Sequence, residues 1–307
     1  MVKRLLNATA SEVLAMTKEE LKISIYASEG RTVLAETAVP LTPIVDGITN
    51  MEIASFAGAD LILLNAFDVL NPKITGVDAS IENPIQYVRE LTGRPIGANL
   101  EPINAEAQGM DDREEIANGR TVTVENLKAA NELGLDFICL TGNPGTGVDN
   151  QGILKAISLA KEHFSGLVIA GKMHSSGMDE PVVTEAIAEE FLQAGVDILL
   201  VPAVYTVPGF RFPELCAIVD TVKAFNKGRD IADKTLVLSA IGTSQESSDP
   251  AVIREIALKG KEAGVDIQHI GDAGFSGLAL PENIDVLGNT IRGVRHQLRM
   301  RAKSVKR

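Results

Sequence analysis

The sequence predicts a (β/α)8 barrel, the TIM-barrel architecture, and three observations carry that reading. Apolar runs rich in Val, Ile and Leu recur eight times, helical periodicity fills the gaps between them, and a Gly-x-Asp junction returns four times. Runs that are apolar on both faces and joined by helices mark a parallel sheet covered by helices. Eight such units close a barrel. A doubly wound open sheet would alternate too, but no glycine fingerprint follows the first run and no break divides the chain into halves.

In chain order, residues 1–30 read as a helical leader. Thr9-x-x-Glu12 and Thr17-x-x-Glu20 are capping boxes, so two short helices are expected over 10–16 and 18–29, with Gly30 ending the second. Residues 31–290 read as the barrel, one domain with the leader and tail. Its strands are expected at Thr32–Ala35, Leu61–Leu64, Pro95–Leu100, Phe137–Leu140, Leu167–Ala170, Ile198–Val201, Leu236–Ser239 and Ile267–Ile270. Segments such as 125–133 and 183–192 place apolar residues every three or four positions, as on one helical face. Gly58-x-Asp60, Gly134-x-Asp136, Gly195-x-Asp197 and Gly264-x-Asp266 would each stop a helix with a left-handed glycine before an even-numbered strand. Residues 291–307 read as a basic C-terminal helix and tail. Arg292, Arg295, Arg299, Arg301, Lys303, Lys306 and Arg307 occur there without an acid, with Ile291, Val294 and Leu298 on the opposite, packed face.

Composition narrows the function classes. The chain has 307 residues, 45% hydrophobic and 23% charged, which excludes disordered and collagen-like classes. A net charge of −12 argues against nucleic acid as a partner, because phosphate neutralisation needs a basic field. No run approaches the ~20 apolar residues of a membrane span, and the opening residues are too soon polar for a signal peptide. Cys139 and Cys216, each in an apolar setting, read as buried thiols of a cytoplasmic protein. Homo-oligomerisation stays open.

In a barrel of this kind the reacting groups sit at the C-terminal ends of the strands. Strand two ends at Asn65, with Asp68 beyond it, and strand three ends Asn99-Leu-Glu101. Strand four ends Thr141-Gly-Asn143, and strand five ends Lys172-Met-His174. Period-two alternation puts Asn99 with Glu101 on one face, and Lys172 with His174 on another. If both faces point inward, a lysine, a histidine, a glutamate and two amides converge. Lys172 could then form an imine, hold a substrate charge, or make a structural ion pair. Glu101 or His174 could move protons, although a loop histidine bonded to backbone explains His174 as well. Gly242-Thr243-Ser244 and Gly271-Asp272-Ala-Gly274 follow strands seven and eight, where many barrels hold phosphate on backbone N–H groups. Asp68, Glu101 and Asp272 are the carboxylates that could jointly hold Mg²⁺. His269, inside the last strand, reads as packed.

The segment Asp46-Gly-Ile-Thr-Asn50 through Ala57-Gly-Ala-Asp60 to Asn65 resembles the first βα unit of the phosphoenolpyruvate phosphonomutase and isocitrate lyase superfamily. Pro95-Ile-Gly-Ala-Asn-Leu100, Lys172-Met-His174 and the turn before strand six are similar to BtpA-type barrels. The resemblance implies a barrel that handles a small anionic metabolite. This chain ends strand three in Asn99-Leu-Glu101 and strand four in Thr141-Gly142, where the mutases and lyases carry acidic metal-binding residues. The expected function is therefore lyase, aldolase or mutase-type chemistry on a small phosphorylated or carboxylated metabolite. The alternative is a catalytically silent barrel that senses a metabolite or serves as an assembly subunit.

Overall fold

The computed structural model describes residues 2–104 and 114–307. Two leader helices, α1 (Ala10–Leu14) and α2 (Lys18–Tyr26), precede β1 (Thr32–Ala38) and α3 (Asn50–Ala57). There follow β2 (Leu61–Asn65), α4 (Pro84–Thr92), β3 (Ile96–Leu100), α5 (Val124–Leu133), β4 (Phe137–Leu140) and α6 (Asn150–His163). The second half comprises β5 (Leu167–Gly171), α7 (Glu185–Gln193), β6 (Ile198–Pro202), α8 (Phe212–Phe225), β7 (Leu236–Ile241), α9 (Pro250–Ala263), β8 (Ile267–Ile270) and α10 (Pro281–Arg301). The strands pair in parallel and in order, and β8 closes on β1, so the fold is the expected (β/α)8 barrel. Among the described residues no helix is long and apolar enough to cross a membrane.

Alternation along the strands builds two apolar layers. Leu61 and Leu63 fall in the barrel interior with Leu34, Phe137, Cys139, Leu167, Ile169, Leu200 and Leu238. Ile62 and Leu64 fall in the outer layer against the helices. The interior cluster continues into Leu5, Val13, Leu21 and Ile25, so the leader covers the N-terminal end of the barrel. Both capping boxes form, with the Thr9 and Thr17 hydroxyls accepting from the Glu12 and Glu20 N–H groups. The second helix stops earlier than expected, at Tyr26. Left-handed backbone comes only at Glu29 and Gly30, after a short turn.

The four Gly-x-Asp junctions are one repeated hydrogen-bonding device. Each aspartate clasps one residue of the preceding odd-numbered strand, accepting its N–H on a carboxylate oxygen and donating its own N–H to that residue's carbonyl. The pairs are Asp60 with Val33 (Oδ2 at 2.7 Å), Asp136 with Ile96 (2.8 Å), Asp197 with Val168 (3.0 Å) and Asp266 with Val237 (2.9 Å). Strand starts leave N–H groups without a ladder partner, and the carboxylate satisfies one at each even-odd pair.

Two expectations need correction. The stripe Ile291, Val294, Leu298 is not one buried face: Ile291 is buried, whereas Val294 and Leu298 are 63% and 56% exposed. Gly293, at φ 73° and ψ 161°, breaks α10 and resets its phase, so Arg292, Gln297 and Met300 turn inward instead. Arg292 pairs with Asp60 and Arg301 with Asp285, so much of the basic stretch ties the tail to the barrel. The other correction concerns the thiols: both are free, but only Cys139 is buried, because Cys216 lies at the edge of the layer covered by α8.

Candidate active site at the C-terminal mouth of the barrel

The inward register that places Leu34, Leu63, Cys139 and Ile267 in the interior continues upward into polar side chains. On β1 the next inward residue is Glu36, on β2 Asn65, on β3 Asn99 and then Glu101, and on β8 His269. These groups hydrogen-bond to one another across strands. Asn99 Nδ2 donates to Glu36 Oε1 at 2.7 Å and to Asn65 Oδ1 at 3.1 Å. Asn65 Nδ2 donates to Asp272 Oδ2 at 2.8 Å, and His269 Nε2 lies 3.0 Å from Glu36 Oε2. Asn143 closes the ring on the other side. Its side-chain amide donates to Asn65 Oδ1 at 3.1 Å and to Glu101 Oε1 at 3.0 Å, and its backbone N–H donates to Glu101 Oε2. Arg120, from the loop after β3, donates to the same Glu101 at 2.6 Å.

The mouth is electrostatically uneven. Burial first, and the Glu36 carboxylate second, push Asp272 up to about 7, against the opposing hydrogen bond from Asn65. Burial likewise raises Glu246, from the turn after β7, which is 1% exposed. A carboxyl group that keeps its proton near neutrality beside a second carboxyl group is suited to proton transfer.

The residues expected at the mouth separate into groups. Asn65, Asn99, Glu101, Asn143 and Asp272 come together in the network above. Lys172 does not join it. In β5 the outer register belongs to Val168 and Ala170, Lys172 continues it, and its fully buried ammonium pairs with Glu180 at 2.8 Å. His174 is half-buried, accepts the Ser176 N–H on Nδ1, and is lowered chiefly by burial. The glycine loops are occupied by their own chain. A Cβ on Gly271 would meet Glu246 Oε1, one on Gly274 the Leu278 carbonyl, and one on Gly242 the Met173 side chain. The Thr243 hydroxyl donates to the Thr206 carbonyl at 2.6 Å, and Ser244 stands in left-handed backbone at the turn.

The Mg²⁺ set fits poorly. Asp68 Oδ1 accepts the N–H groups of Leu70 and Asn71 in its own turn, while Glu101 is taken by Arg120 and Asn143. Among the described residues no group of three or more His, Cys, Asp or Glu side chains is placed to hold a metal ion.

Sequence reasoning placed Glu36 at the end of strand one without a role and read His269 as packed, and it passed over Arg120 and Glu246. Glu36 and His269 had a signal: each is a polar residue at an inward position of an otherwise apolar strand. Arg120 and Glu246 had none, because only the folded loops bring them to the mouth.

The comparisons with known proteins agree with this architecture. A family model described as a domain of unknown function, DUF7916, matches residues 6–307. No curated protein matches the chain. Among solved structures, the chain is similar to an archaeal fructose-1,6-bisphosphate aldolase whose catalytic Lys is covalently bound to the carbinolamine intermediate of its substrate. The identity is 15% over 89% of this chain and 98% of that one, with a TM-score of 0.54. A second archaeal fructose 1,6-bisphosphate aldolase structure gives 15% identity, 90% and 99% coverage and a TM-score of 0.53. A 2,3-dimethylmalate lyase of the PEP mutase/isocitrate lyase superfamily gives 14%, 84%, 82% and 0.47. At such identities the likeness is one of fold. The two aldolase barrels share the fold of this chain, and the family match over residues 6–307 shows that this protein belongs to the DUF7916 family.

Proposed function

We propose that this protein is a lyase- or aldolase-type enzyme that cleaves or forms a carbon–carbon bond next to a carbonyl in a small anionic metabolite. The observation that supports the reading best is the carboxyl pair of Asp272 and Glu36 within a ring of amides at the strand ends. In the cleavage direction, ionised Asp272 takes the proton of a substrate hydroxyl. As the C–C bond breaks, the hydroxyl oxygen becomes the carbonyl of one product, the electron pair passes to the carbon beside the other carbonyl, and the resulting enolate takes back the proton held by Asp272. The side-chain amides of Asn65, Asn99 and Asn143 line this mouth, and any one that donated to the enolate oxygen would exchange one of its present hydrogen bonds for it. Glu101 is engaged by Arg120 and Asn143, so we assign it to holding Arg120 rather than to moving protons.

Arg120 is 20% exposed and offers a cation at the mouth to a substrate carboxylate. A carboxylated substrate suits the site better than a phosphorylated one, because Glu246 lies directly behind Gly271, where the phosphate was expected. The route runs through side chains alone, because the described carboxylates do not form a set of metal ligands. Lys172, fully buried and paired with Glu180, takes the role of a structural ion pair.

The test is a panel of hydroxy and keto acids, assayed for release of a carbonyl product, with borohydride trapping in parallel. Turnover that is lost in Asp272→Asn, without a covalent adduct, supports the acid–base route. A reduced adduct on Lys172 would replace it with imine chemistry. Binding without turnover across the panel would favour the silent metabolite sensor.

A further inference from the structure

At the face opposite the mouth, a cavity of about 670 Å³ opens between α2 and the C-terminal ends of α6, α7 and α8. Its floor is Asp197, the aspartate that clasps Val168 at the start of β5. Three ammonium groups converge on this one carboxylate: Lys18 at 2.9 Å, Lys22 at 3.0 Å and Lys161 at 3.1 Å. Set against Asp197 alone, they leave two positive charges in excess. The same device elsewhere in the barrel needs no such excess. Among the described residues, Asp60 takes one hydrogen-bonded cation, Arg292, Asp136 takes Arg89, and Asp266 takes none. The extra lysines are therefore not required to hold an aspartate at a strand start.

The walls hold acids as well, and Glu19 lies close enough to Lys18 and Lys22 to feel their charges, so it offsets part of the excess. Glu19 accepts the Thr17 hydroxyl at the start of α2, and Asp230 and Asp233 are exposed at the rim, where water and salt screen them. Arg229, also at the rim, stacks on the Phe225 ring. The lysines are shielded by contrast. Lys22 is buried, and burial pulls Lys18 below its ordinary value despite the neighbouring Asp197. Each ammonium carries three protons, and a single carboxylate that also accepts the Val168 N–H cannot receive them all.

We propose that this N-terminal-face cavity is a second anion site, which takes a small phosphate dianion between Lys18, Lys22 and Lys161. A dianion supplies the missing charge and the acceptor oxygens. It would also bridge the leader helix α2, which carries Lys18 and Lys22, to α6 and the barrel. Occupancy should therefore raise the stability of the folded chain by mass action.

Thermal unfolding of the full chain in inorganic phosphate, against sodium chloride of equal ionic strength, provides the test. The expected result is a phosphate-specific rise in Tm that saturates, with apparent affinity at least tenfold weaker in Lys18→Gln/Lys161→Gln. Lys161→Gln alone, at the more exposed of the three positions, covers the case in which the double variant unfolds. Arg120→Gln, at the opposite face, should keep the full response. An equal response in wild type and the lysine variants, or no phosphate-specific rise, would overturn the site. Loss of the response in Arg120→Gln would place the anion at the mouth and overturn it too. Malonate that matches phosphate in the same titration would overturn the phosphate assignment.

Discussion

The side-chain amide of Asn65 donates to Asp272 at 2.8 Å, tying the end of β2 to the loop beyond β8 across the end of β1. Glu36 stands on the strand between them, with one oxygen taken by Asn99 and the other facing His269. Two carboxyl groups thus share one hydrogen-bonded cluster, and like charge there is costly.

The first prediction concerns the proton that Asp272 keeps. Its folded value of about 7 means that the group is neutral below that pH and anionic above it. As a proton acceptor it should give a rate that rises through pH 7. Asp272→Asn should lower kcat by about 10²–10⁴-fold and flatten the profile, while leaving Tm nearly unchanged. A steady-state pH series on both proteins measures this, and an unchanged profile in the variant would falsify the assignment.

Glu36→Gln should move that titration to lower pH. Burial is the largest cause of the raised Asp272 value and the Glu36 charge is the second, so removing the charge leaves burial alone. The midpoint of the pH–rate profile, or carboxyl carbon NMR of Asp272, reports the direction. A midpoint that stays or rises would contradict the coupling.

Asp266 offers a stability test away from the mouth. Burial pushes its carboxyl up to about 6, with the Val237 N–H opposing. A raised carboxyl contributes stability below its unfolded value and loses it as pH rises through 6. Asp266→Asn keeps an acceptor for Val237 and removes the buried charge. It should therefore stabilise the protein at pH 8 by on the order of 2–3 kcal/mol and have little effect near pH 4. Urea unfolding at the two pH values separates this from a pH-independent effect.

Lys303 gives the opposite sign. Burial first, then Arg94, lower its amine to about 7, and its Nζ has no hydrogen-bond partner among the described residues. The unfolded chain holds the proton more tightly between pH 7 and 10, so stability should rise with pH across that window. Lys303→Met should stabilise the fold at pH 7 by on the order of a few kcal/mol and lose that advantage by pH 10.5. Equal gains at both values would point to packing instead.

Gly293→Ala isolates a backbone effect. A Cβ there would meet nothing within 4 Å, yet φ 73° with ψ 161° is a region that only glycine occupies readily. The expected loss is about 1–3 kcal/mol, read as a fall in Tm, with Arg292 released from Asp60. A variant as stable as wild type would show that the break in α10 is not held by this residue.

What the sequence determined by itself was short-range. Short apolar runs located every strand, the Thr-x-x-Glu pairs located the leader helices, and Gly-x-Asp marked the junctions, because each depends on neighbours a few residues away. The inward parity of Asn99 and Glu101 was legible for the same reason. Only the tertiary structure decided partners. Glu36 meets His269 because β8 closes on β1, Glu246 reaches Gly271 through a turn, and Lys172 turns to Glu180 instead of the amide ring. In the tail, one left-handed glycine reset the helical phase on which the Ile291, Val294, Leu298 stripe relied. Periodicity assigns a side chain to a face, whereas barrel closure and loop packing, which act between residues far apart in the chain, decide what it meets there.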